Sequence, residues 1–235
     1  MVEYTQQITL SKAKADASSI FLAKVFNWMA IGLGITGIVA YFTATTGLAV
    51  TITSSPLFLI LIVGELGLVF YLSARINKMQ AGTASSMFML YSVLNGLTLS
   101  VIFLRYTGSS IAATFFITAG MFGAMAIYGL VTKRDLSGFG SFLFMGLIGI
   151  IIASIVNIFL KSDGLYWVIS MIGVLVFTGL TAYDIQKIKK IGEAGIMQQG
   201  EAAITKGSIM GALALYLDFI NLFLMLLHFF GGSRD

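Results

Sequence analysis

Cysteine is missing altogether from the 235 residues, which excludes disulfides and thiolate metal sites and leaves the redox compartment open. Charge is nearly as scarce. Asp, Glu, Lys and Arg make up only 10% of the chain, against roughly 25% in an average soluble domain, while 58% is hydrophobic. So few charges cannot cover a water-facing surface, and a soluble domain is excluded. A cleavable leader is not expected, because residues 1–20 are polar and no small-residue cleavage site follows a short apolar core. No connection exceeds about 20 residues, so no large extramembrane domain is expected on either side.

What the chain does have is long apolar runs. No Asp, Glu, Lys, Arg or His stands between Lys24 and Glu65, Lys78 and Arg105, Arg105 and Lys133, Asp135 and Lys161, or Asp163 and Asp184. A bilayer core about 30 Å thick takes about 20 apolar residues as a helix, and each run meets that length. The first is long enough for most of two spans. A transmembrane β-barrel would show alternating segments of about 10 residues instead. The pattern predicts an all-α integral membrane protein with spans near 22–43, 57–74, 84–104, 111–132, 139–160, 165–186 and 207–230. These form a single seven-helix domain over 21–235, behind a flexible, polar, cytoplasmic tail at 1–20. Turn chemistry marks the breaks: the Thr- and Ser-rich stretch 43–56, Ser137-Gly138 after a charged triplet, and Ser162-Asp163-Gly164.

Lys and Arg orient the spans, because cytoplasmic loops retain them. Lys12, Lys14, Lys24, Arg75, Lys78, Lys133, Arg134, Lys187, Lys189, Lys190 and Lys206 fall on one side, and only Arg105, Lys161 and Arg234 on the other. This split of eleven to three predicts a cytoplasmic N-terminus and an outside C-terminus. It also explains the net charge of +4 without nucleic acid.

An ionisable side chain inside a span costs a few kcal/mol and faces a partner or a water cavity. Glu65 sits midway along the second span, Asp184 toward the cytoplasmic end of the sixth, and Asp218 about 18 Å beyond Lys206 along the seventh. Asp218 and Asn221 share a face by i, i+3 spacing, and Thr178, Thr181 and Asp184 form a stripe of the same kind. The simplest arrangement turns the two stripes together and makes Asp184 and Asp218 partners. Two carboxylates so placed would share one proton, and their titration belongs to the pair. Protonated, the pair clamps the two spans; fully ionised, it repels, and separation, a cation or Arg75 can relieve it. The plainer alternative satisfies each carboxylate separately with a carbonyl, a hydroxyl or water. Asp184 lies only three residues from Lys187, shallower than Asp218. Pairing therefore needs the sixth helix to continue through the lysines, which can snorkel, or the seventh to begin below the membrane. Arg75 by itself reads as an interfacial anchor, and His228 as an interfacial side chain near the outer end.

Leu215-Tyr216-Leu217-Asp218-Phe219-Ile220-Asn221-Leu222-Phe223 resembles the C-terminal signature of the Bax inhibitor-1 family, also called the transmembrane Bax inhibitor motif family. Ala182-Tyr183-Asp184-Ile185-Gln186-Lys187-Ile188 is similar to that family's sixth-helix motif, and Thr132-Lys133-Arg134-Asp135-Leu136-Ser137 to its connector between the fourth and fifth helices. Asn157-Ile158-Phe159 and Lys24-Val25-Phe26-Asn27-Trp28-Met29 resemble its fifth helix and the first-helix opening of bacterial members. The likeness covers essentially the whole chain. It implies a central C-terminal helix wrapped by two three-helix layers. It also implies a pH-sensitive calcium leak in the inner membrane of a bacterium, with Asp184 and Asp218 as sensor and gate and Arg75 as a latch. Glu65 matches an acidic position facing the pore, and Asn221 lies on the same pathway.

Three functions compete. In the first, Glu65, Asp184 and Asp218 hold calcium only transiently, because calcium prefers more oxygen ligands than these supply; calcium is then the permeant ion, no cofactor or enzyme chemistry is expected, and the protein works as a monomer. In the second, the protein regulates a membrane protease or a cell-death or stress partner. The third is an intramembrane aspartyl protease, which two carboxylates sharing a proton would suit. That reading is remote, because Tyr216-Leu217 stands before Asp218 in place of a Gly-x-Gly pattern. A retinal protein is poorer still, since no lysine lies inside the seventh span.

Overall fold

The computed structural model describes the backbone of residues 2–232 and the side chains of residues 12–232. Arg234, counted above on the outer side, lies outside the described residues. Among those described, the helices are α1 (Val2–Thr45), α2 (Leu48–Thr53), α3 (Leu57–Arg75), α4 (Ala81–Leu99), α5 (Ile102–Arg105), α6 (Gly108–Val131), α7 (Ser137–Leu160), α8 (Asp163–Glu193) and α9 (Glu201–Phe230), with 3-10 turns at Ile76–Lys78 and Ile196–Gln198. There are no strands among them, and seven helical stretches are long and apolar enough to cross a membrane. Those stretches are Lys12–Thr45, Leu57–Lys78, Ala81–Arg105, Gly108–Val131, Ser137–Leu160, Asp163–Glu193 and Glu201–Phe230, matching the seven expected spans.

The helix limits follow from local chemistry. No glycine or proline precedes Gly32, so nothing interrupts α1 and the polar segment expected to be a flexible tail is helical from Val2 onward. Gly47, at φ 79°, turns the chain out of α1, and Pro56 stands at the start of α3, where its missing N–H costs nothing. Lys161 takes a left-handed conformation at φ 50° to end α7. The Asn157 side chain accepts the Ser162 N–H at 3.0 Å there, which gives this motif residue a capping role. Asp135 opens α7 by accepting from the backbone and hydroxyl of Ser137 at 3.2 and 2.8 Å.

The chain packs as two compact units: residues 1–105 with 188–214, and residues 106–187 with 215–235. In the first, α1 and α4 approach closely. A Cβ on Gly96 would meet the Thr36 carbonyl at 2.8 Å and the Val39 side chain at 2.7 Å, and the Thr36 hydroxyl crosses to the Ser92 carbonyl at 2.8 Å. Small residues let backbones come this near without a hydrophobic drive, which lipid does not supply. In the second, Leu143 and Ile150 of α7, Val176, Phe177 and Leu180 of α8, and Leu222 and Leu226 of α9 form the buried core. Phe219 of α9 packs edge-on against Phe115 and Phe122 of α6 at 5.4 and 5.6 Å between ring centres. Outward-facing residues remain apolar, with Phe70 72% and Phe159 81% exposed. The helix Glu201–Phe230 is the most enclosed of the seven, in keeping with apolar residues on all its sides.

Candidate functional site

Both helices that carry the aspartates run on past the limits expected of their spans. α8 continues six residues past Lys187 to Glu193, and α9 begins seventeen residues before Asp218, at Glu201. Gly195 and Gly200, at φ 89° and 88°, flank the turn between them; only glycine adopts such angles freely. Asp184 and Asp218 then meet within the second unit, each carboxyl within hydrogen-bonding reach of the other. Asp218 is 5% exposed, while Asp184 is half-buried and near enough to Lys187 to feel its charge. Lys187 itself points outward over the Tyr183 ring, 6.0 Å from its centre.

The buried Oδ2 of Asp218 has no hydrogen-bond donor among the described residues. A carboxylate accepts and does not donate, so a hydrogen bond between the two acids requires a proton on one of them. The arrangement can hold one proton in a hydrogen bond between helices, and losing it leaves two like charges face to face.

The rest of the polar stripe is only partly engaged. Thr181 returns its hydroxyl to the Phe177 carbonyl at 2.8 Å, while the buried hydroxyls of Thr178 on α8 and Thr114 on α6 have no partner among the described residues. Asn221 donates to the Leu217 carbonyl of its own helix at 2.8 Å and so does not clamp the aspartates. Toward the far end of α9, His228 stacks edge-on against Tyr166, 4.2 Å between ring centres.

Glu65 belongs to the other unit. It is 8% exposed and accepts from Thr98 at 2.9 Å and Asn95 at 3.2 Å, both on α4, with buried Tyr91 near enough to feel its charge. Arg75 follows about 15 Å along α3, is exposed, and forms no ion pair with the described residues of its unit. The sequence reading missed Asn95, Thr98 and Gln186. Tyr91, Asn95 and Thr98 do share one face of α4 by i, i+4, i+7 spacing, a signal that was available. No group of three or more His, Cys, Asp or Glu among the described residues is placed to hold a metal ion.

Residues 18–235 match the family described as inhibitor of apoptosis-promoting Bax1. The chain is 55% identical over 216 residues to "Inner membrane protein YbhL" of Escherichia coli (strain K12), covering 91% of this chain and 92% of that one. Proteins of Borreliella burgdorferi and Deinococcus radiodurans are 46% and 44% identical over the full length of both chains. With seven membrane-crossing helices, a matching model over nearly its whole length and relatives of this closeness, the chain is a multi-pass membrane protein of the Bax inhibitor-1 family.

Proposed function

We propose that this protein is a pH-sensitive calcium leak of a bacterial inner membrane, gated by the proton shared between Asp184 and Asp218. The observation that carries the reading is the contact of the two carboxyls on neighbouring helices, one of them almost wholly enclosed. A shared proton makes the contact attractive, and its loss makes it repulsive. Helix association in lipid rests on few strong terms, so one such reversal shifts the balance between a clamped and a parted pair. The buried hydroxyls of Thr114, Ser170 and Thr178, all in the same unit, have no partner among the described residues and suit a hydrated path to the pair, since buried polar groups demand a partner.

Calcium is the transported ion in this reading. Six to eight oxygen ligands hold it tightly; Asp184, Asp218 and Asn221 offer fewer, which favours passage over storage. Glu65, tied at both oxygens to α4, is an acidic side chain of the first unit and lies outside the pair. The excess of Lys and Arg on one side supports a cytoplasmic N-terminus. The protein works as a monomer and needs no cofactor.

Calcium uptake into proteoliposomes across a pH series tests the reading. The parent protein shows pH-dependent uptake, whereas Asp184→Asn and Asp218→Asn show uptake that no longer varies with pH. Unchanged pH dependence in both variants would remove the sensor.

A further inference from the structure

Two sequence motifs, 132–137 and 182–188, meet through one side chain. Gln186 is 7% exposed and turns its amide to the connector between α6 and α7. Its Oε1 accepts the Leu136 N–H at 2.9 Å, and its Nε2 donates to the Arg134 carbonyl at 2.8 Å. An amide bound on both its donor and acceptor sides is fixed in position and rotation together. The same stretch of α8 is pressed from both sides. A Cβ on Gly129 of α6 would meet the Ala182 carbonyl at 2.5 Å, and one on Gly140 of α7 would meet the Tyr183 ring. Ala182, Tyr183 and Gln186 are therefore held by the end of α6, the start of α7 and the backbone between them. Asp184 lies in the middle of this grip.

We propose that Gln186 is a positioning residue for the carboxyl pair, holding α8 at the depth and rotation at which Asp184 meets Asp218. A slip of one residue along α8 would swing Asp184 by about 100° around the helix axis, away from α9. Breaking the clamp also strands the Leu136 N–H and the Arg134 carbonyl, so the grip is cooperative rather than incidental. Within this unit the charged groups facing Asp184 are Asp218 on α9 and Lys187 on α8. Lys133, Arg134 and Asp135 of the connector are exposed. The inference rests on the reading of a proton shared by the pair, but not on calcium transport.

The test uses the full chain in lipid bilayers with two measurements. Hydrogen exchange follows the Leu136 amide, and infrared spectroscopy follows the protonated-carboxyl band that Asp218→Asn removes. Gln186→Met keeps the side-chain length and deletes both hydrogen bonds; it speeds exchange at Leu136 and shifts the carboxyl band from its parent position. Gln186→Leu also deletes both hydrogen bonds and adds no carboxyl of its own, so it speeds the same exchange and shifts the band in the same direction, and it is read alone if Gln186→Met does not fold. A parent-like band in the folded variants, whatever their exchange, reduces Gln186 to a structural tie and overturns the proposal. So does a parent without any band that Asp218→Asn removes. A parent that passes no calcium would end the leak reading while both measurements still decide the role of Gln186.

Discussion

The hydroxyl of Thr98 on α4 meets Oε1 of Glu65 on α3 at 2.9 Å, and Asn95 donates to Oε2 of the same carboxylate at 3.2 Å. Both oxygens of a buried acid are thus used to join two helices, 30 and 33 residues away in sequence. Interhelical hydrogen bonds in membrane proteins contribute about 0.6 kcal/mol on average and up to about 1.7. Thr98→Val is therefore expected to lower the thermal stability of the detergent-solubilised protein by about that amount, while Thr98→Ser keeps it. Equal melting of the two variants would show that the contact carries no stability.

For the aspartate pair, the chemistry of the amide fixes the expected outcome. Asn at position 218 can donate to the Asp184 carboxylate without a titrating proton, so Asp218→Asn imitates the clamped, singly protonated pair at every pH. Its calcium flux should equal the parent's protonated-state flux throughout a pH series. Flux that still follows the parent's pH curve would place the sensor elsewhere.

Close helix approach gives a stability prediction independent of any charge. Overpacking a tight site typically costs about 1–3 kcal/mol. Gly96→Ala and Gly129→Ala, where the new methyl would meet backbone at 2.8 and 2.5 Å, should destabilise by that order in a detergent melt. Gly120→Ala, with nothing within 4 Å, should be neutral. A melt ranking that does not separate the three would contradict the packing.

The absence of native cysteine makes orientation directly measurable. Lys161→Cys should react with a membrane-impermeant thiol reagent in intact cells, and Lys133→Cys only after permeabilisation. Both connectors are exposed, so reactivity reports the side of the membrane and not burial. The reverse pattern would invert the proposed topology.

Much of the fold was legible because a membrane span announces itself locally. The uncharged runs gave seven spans, and their centres coincide with the helices observed. Their ends were less readable: α1 reaches back to Val2, α8 runs on to Glu193 and α9 starts at Glu201, because polar and basic residues continue a helix as readily as apolar ones. The facing stripes on the last two spans predicted the contact of Asp184 with Asp218, since both stripes lie on consecutive helices joined by a short turn. Glu65 was visible as a buried acid and Asn95 and Thr98 as one polar face, but that the two meet was not, and neither were the backbone partners of Gln186, 50 and 52 residues away.

Composition and charge spacing by themselves determined that this chain crosses a bilayer seven times as helices, because burial in lipid is a sum over neighbouring residues and needs no knowledge of what packs against what. Tertiary structure alone decided the other polar meetings: that Glu65 is tied to Asn95 and Thr98, and that Gln186 grips the connector. Such meetings depend on the depth and rotation of each helix. Those are set by glycine contacts and interlocking side chains from distant parts of the sequence, where no local pattern records them.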